Sequence, residues 1–146
     1  MSTKYLDAPE VSAIAAELVK HDHPHLVGVE IAYFFFAKYD GKGLLKHPDE
    51  CGNKVGYARL YPQECRTVLG TPTFGIGILL NWWRWATDEQ RVAIVDHELM
   101  HCQYDLDTEK PSVRKHDFEG FVDEVQRHGA WDKRLELVKE QMMLAV

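Results

Sequence analysis

The segment His97-Glu98-Leu99-Met100-His101 constrains this chain more than any other stretch. On an α-helix, side chains four residues apart share one face, with Cβ atoms about 6 Å from each other. Two imidazoles at that spacing can close on one ion, with Zn–N bonds of about 2.0–2.1 Å. Glu98 directly follows the first histidine and is turned about 100° around the axis. It therefore flanks an ion instead of binding it, the arrangement of a general base in zinc-dependent hydrolases. Zinc lowers the pKa of a bound water to about 7, so a neighbouring carboxylate can take its proton at neutral pH. The chain must then supply a helix with one face for the metal and another for a core.

The competing reading is a pair of structural histidines, and the flanking residues argue against it. Thr87 with Gln90 three residues on is a capping-box pattern for a helix start. Val92, Val95, Leu99 and Cys102 recur at helical spacing and form an apolar stripe. His97 and His101 fall on the adjoining stripe, at the core boundary. Histidines there are costly to desolvate without a partner or a metal.

At 146 residues the chain reads as one domain, 1–146, able to bury a core without staples. A net charge of −6 without a run of Lys or Arg argues against nucleic-acid or anionic-membrane partners, a local basic patch aside. The first residues lack an apolar signal core, and no stretch reaches membrane-spanning length. Three cysteines, Cys51, Cys65 and Cys102, suit a reducing compartment better than a disulfide framework, so a cytoplasmic location is expected. Cys102 reads as a small buried hydrophobe.

In chain order, Asp7 is expected to cap a first helix with Pro9 in its first turn and Val11, Ile14, Ala15, Leu18 and Val19 on its apolar face. His21, His23 and His25 alternate around Pro24 and read as a polar connection. Residues 26–38 carry the strongest strand signal, β-branched and aromatic and apolar on both faces. Residues 41–54 read as a loop, 55–61 as a second strand stopped by Pro62, and 74–80 as a third. In the third strand Gly75 and Gly77 share a face that admits a close neighbour, either the active helix or an extended substrate. His47, Cys51 and Cys65 match no compact metal-site spacing. Among Trp82, Trp83 and Trp85, most are expected to cover the start of the HExxH helix, with one a candidate wall for a substrate cleft. That helix is expected over 88–104, then a polar segment to 115, a helix from Asp117 to about 125, and a last helix from Asp132.

A catalytic zinc needs three protein ligands and an open position. His116, at a point of chain reversal, is favoured as the third, with Glu119 (in an ExxxD pattern with Asp123) as the alternative and His128 read as a helix cap. Asp105 and Asp117 are candidates to accept the outer ring N–H groups of the histidines. Tyr104 and His128 are candidates to steady a developing oxyanion.

The Trp-rich turn after a strand, VDHELMHC, and the later HDFEGFVDEVQRHGAW together resemble the phage metallopeptidase family. More distantly the chain is similar to SprT-like zinc peptidases, where a third ligand histidine opens a helix after HExxH and a Phe follows. Phe121 here lies five residues past His116, one more than in those relatives. Metzincins would carry Gly and His at Tyr104 and Asp107, and deformylases a differently placed Cys. The resemblance implies a small zincin-like α+β domain. In it a three- or four-stranded mixed sheet packs against the HExxH helix, with N- and C-terminal helices. It implies a zinc metallopeptidase encoded by a phage or prophage and acting in the bacterial host cell on a peptide or protein. His97, His101 and His116 would hold Zn2+, Glu98 would be the general base, and an exposed strand edge would hold the substrate backbone. The alternative is a non-catalytic zinc-binding phage protein that engages a host protein.

Overall fold

A computed structural model describes residues 2–115 together with Arg127 and His128. Its centre is a parallel pair, β2 (Ile31–Tyr39) and β4 (Phe74–Leu79), in register from Ile31↔Phe74 to Phe36↔Leu79. Strand β1 (Ser2–Asp7) adds antiparallel to β2, and β3 (Gly56–Leu60) adds antiparallel to β4. The result is a mixed four-stranded sheet in the order β1-β2-β4-β3. Beside its helices it makes the α+β fold expected from the sequence. All six residues of β4 are buried, which is why its apolar run lacks alternation.

Alternate residues of β4 explain the layering. Phe74, Ile76 and Ile78 point toward the helices and share one core with Phe35, Val11, Ala15, Ile94, Val95 and Leu99. Each such side chain removed from water contributes roughly 1.5–3 kcal/mol before entropy is counted. Gly75 and Gly77 face the other way. A Cβ on Gly77 would lie 2.8 Å from the rings of both Phe34 and Tyr57, and one on Gly75 would lie 2.7 Å from the Tyr61 hydroxyl. The close neighbours at these glycines are therefore aromatic rings of adjacent strands, neither the active helix nor a substrate.

Helix α1 (Pro9–Asp22) starts with Pro in its first turn, as expected, but its N-cap residue is Ala8. Asp7 ends β1 instead, and its carboxylate accepts the Ala8 N–H at 3.0 Å. A 3₁₀ turn, Pro24–Leu26, precedes β2, so the strand begins five residues later than the apolar run suggests. Leu26 spends its side chain on the core from that turn, and Gly28 (φ 82°) redirects the chain. Short helix α2 (Leu80–Trp83) follows β4 directly. Trp83 is buried and donates its indole N–H to Glu10 at 3.2 Å, whereas Trp85 is exposed.

Helix α3 (Asp88–His101) opens on the expected capping box, with both Thr87–Gln90 hydrogen bonds formed. It ends at His101, three residues before the expected stop. Residues there form β5 (Cys102–Asp105), which pairs antiparallel with β6 (Lys110–Val113) as a separate hairpin. The segment expected to be irregular is thus half of a small sheet packed beside β3. The helices expected from Asp117 and Asp132 lie outside the described residues. No helix among the described residues is long and apolar enough to cross a membrane.

Candidate metal centre

Helix α3 lays Val95 and Leu99 into the core, and Cys102, the first residue of β5, follows them there; all three are fully buried. This fixes the rotation of the helix and turns His97 and His101 to the core boundary, with side chains 12% and 13% exposed. Their ring centroids are 5.2 Å apart. One ligand atom each from His97, Glu98 and His101 lies within 4.8 Å of the others, forming a metal-ligand cluster among the described residues. Glu98 Oε1 sits 3.8 Å from His97 Nε2 and 3.9 Å from His101 Nε2, facing the nitrogens of both rings.

The tautomer of His101 follows from its outer partner. Nδ1 lies 2.7 Å from the Arg114 carbonyl oxygen, which can only accept, so Nδ1 carries the proton. Nε2 of the neutral ring then presents its lone pair to the site, as a metal ligand requires. Arg114 N–H in turn donates to the His101 carbonyl at 2.7 Å. This two-bond exchange ties the last turn of α3 to the strand end of the hairpin, and Asp105 has no part in it. The Asp105 carboxylate accepts from the N–H groups of Asp107 and Thr108 within its own turn, and those bonds lower its pKa.

Glu98 is 2% exposed and packs under β3. A Cβ on Gly56 would meet Glu98 Oε2, the Gly77 carbonyl and Ile78 Cδ1, each at 3.3 Å, so the missing side chain gives the carboxylate its seat. Cys102 lies beneath the site as expected. Burial, reinforced by the Glu98 charge, pushes its thiol up to about 12, so it stays protonated and inert at neutral pH.

One buried group had no place in the sequence-based reading. Asp96, immediately before His97, is 0% exposed. His23 Nε2 donates to its Oδ1 at 2.6 Å, His128 Nε2 to its Oδ2 at 2.7 Å, and Arg127 Nη1 to both oxygens at 2.9 and 2.7 Å. Burial alone would raise this carboxyl; the bonds from His128, His23 and Arg127 outweigh it and hold Asp96 below the usual carboxylate range. His23 therefore belongs to a buried network and not to a polar connection, and His128 turns its Nε2 to the same buried carboxylate. The signal was present: an aspartate three residues from Ala93 and from Leu99, both on the apolar face, must find donors. Tyr104 packs against the core cluster. His47, Cys51 and Cys65 do not converge: Cys51 is buried beside Phe36 and Leu79 and directs its thiol to the His47 carbonyl at 3.4 Å. His116, Glu119 and Asp117 lie outside the described residues.

A family model described as Putative phage metallopeptidase matches residues 3–141. The chain belongs to this phage metallopeptidase family. No curated protein and no solved structure matches it. The family name points to a hydrolase that uses a metal ion on a peptide or protein. The donor set fits such an ion: two imidazoles one turn apart, one of them fixed in the ligating tautomer, beside a buried carboxylate.

Proposed function

We propose that this phage metallopeptidase is a zincin-like zinc peptidase of the cytoplasm. His97 and His101 would hold the ion from α3, and His116 would complete the set. The observation that carries this reading is the convergence of His97, Glu98 and His101 on one point, with the outer nitrogen of His101 already bonded to a carbonyl. When bound, the ion supplies Lewis acidity toward a water and a carbonyl oxygen.

The residues of the chain do the rest. Glu98 accepts a proton from the attacking water at its Oε1 and passes it to the leaving amine. Its burial under β3 keeps bulk water from competing for that proton. The outer edge of β3, next to Glu98, would take the substrate in extended form through main-chain hydrogen bonds. In Glu98→Gln the amide keeps the shape and cannot take the proton. The test measures metal content and hydrolysis of an unfolded protein substrate together. The variant is expected to keep its zinc and to lose cleavage at least a hundredfold, the lower range for general acid–base catalysis. Full activity in Glu98→Gln would remove the mechanism. Loss of zinc from His97→Ala and from His116→Ala, with zinc retained in Glu119→Ala, would support the ligand set.

A further inference from the structure

Strand β3 separates two unlike surfaces, and its free edge touches both. Leu79 N–H donates to the Val55 carbonyl and Tyr61 N–H to the Thr73 carbonyl, so the odd residues from 55 to 61 bond inward to β4. The main-chain groups of Gly56, Ala58 and Leu60 then point outward. Among the described residues no strand is hydrogen-bonded there, and the β5–β6 hairpin packs beside β3 without pairing to it. Side chains at 56, 58 and 60 face the helices: Ala58 and Leu60 pack on the main core, and Gly56 lies against Glu98. Side chains at 57, 59 and 61 face the opposite side. That side holds two tyrosine rings, each with a cation above it: Lys54 Nζ lies 4.7 Å from the Tyr57 ring centroid, and the Arg59 guanidinium 4.7 Å from that of Tyr61. Arg66 is anchored nearby, donating to the Tyr61 carbonyl at 3.0 Å. Residues 54–66 thus contain Lys54, Arg59 and Arg66 against the single acid Glu64, in a chain whose net charge is −6.

We infer that Lys54 and Arg59 select substrates with acidic side chains at alternate positions around the scissile bond. This rests on the peptidase reading and on substrate pairing along the β3 edge. A strand added there points alternate side chains to opposite faces of the sheet. Residues opposite Gly56 and Ala58 look toward Glu98 and the histidines. Residues opposite Tyr57 and Arg59 have their Cβ atoms about 4.5–5.5 Å from those side chains and look onto the cations. Carboxylates two residues apart then meet Lys54 and Arg59, while the tyrosine rings hold both cations in place and cover the stems of the incoming residues.

The experiment uses full-length Glu98→Gln loaded with zinc and two labelled extended peptides, alike except for Glu or Lys at two alternate positions. Binding is read by fluorescence anisotropy, and cleavage of the same peptides is followed with the wild-type chain. The acidic peptide is expected to bind about fivefold more tightly, the range open to two exposed ion pairs, with the preference fading in salt. Arg59→Glu should abolish or reverse that preference, and Arg59→Lys should keep most of it. Lys20→Glu, an exposed charge change on α1, should leave the ratio unmoved. Equal binding of both peptides, or a preference unchanged in Arg59→Glu, overturns the inference while cleavage by the wild-type chain leaves the peptidase reading standing. Absence of both binding and cleavage overturns the two together.

Discussion

Asp96→Asn tests whether the buried network holds the metal helix in place. The carboxylate is 0% exposed and accepts from three side chains. An amide is nearly isosteric but offers one acceptor oxygen, and its NH2 group must face at least one donor. His23, 3% exposed, cannot recover the lost bond from water. Arg127 is 30% exposed on its side chain and can partly rehydrate. Breaking a buried pair costs about 3–5 kcal/mol, and the exposure of Arg127 places this case near about 3 kcal/mol. That is a large share of the roughly 5–15 kcal/mol that stabilises a domain. At about 2–4 °C per kcal/mol, the midpoint of thermal unfolding should fall by about 6–12 °C. The measurement is unfolding of the metal-free chain by circular dichroism, thermally and in urea. The sign of the pH effect follows from the depressed carboxyl. Its stabilisation is fully present above the unfolded value, about 3.9, and is lost as pH falls through the lower folded value. Wild type should therefore shed stability below about pH 4, and Asp96→Asn should lack that part of the decline. A variant within about 0.5 kcal/mol of wild type, a surface-like effect, would refute the role assigned to the network.

Two other substitutions probe the helix and its carboxylate. Gly56→Ala brings a methyl group to 3.3 Å from Glu98 Oε2, with the Gly77 carbonyl and Ile78 blocking escape; kcat should drop about tenfold or more with zinc content unchanged, and unaltered kcat would show that Glu98 needs no such seat. Thr87→Ala removes one half of the capping box and should lower stability by about 1 kcal/mol in urea titration without altering metal content.

The helix start was legible because its signals are local. Thr87 and Gln90 bond within one turn, and Val95 and Leu99 show their burial by spacing alone. The central strands were legible for the same reason: runs such as residues 31–36 and 74–79 contain little that could face water. Strand β1 was not, since all six of its residues are exposed and no face of it is apolar. It exists through pairing with β2, a property of β2's edge and not of its own residues. The end of α3 misled for a different reason. Cys102 sits three residues after Leu99, at helical spacing, and is buried as that spacing implies, yet its backbone is extended (φ −83°, ψ 113°). No Gly or Pro marks the change. What ends the helix is the exchange of bonds between His101 and Arg114, thirteen residues apart. The hairpin turn is equally silent, because Glu109 takes the left-handed conformation (φ 56°) where glycine would have announced it.

These illegible parts are the ones that aim the site. Periodicity can say that His97 and His101 share a face, but a shared face is not a ligating geometry. A neutral imidazole binds through one nitrogen only when the other carries the proton, and that depends on an acceptor behind the ring. For His101 the acceptor is a main-chain carbonyl, which any residue at position 114 would supply, so no side-chain motif could reveal it. For the helix as a whole the anchor is Asp96, whose donors come from positions 23, 127 and 128. The chain therefore carries its candidate metal-binding group within five consecutive residues and the orientation of that group in contacts that reach from His23 to His128. A substitution at His23 should for that reason disturb the metal helix while touching no atom of the metal site.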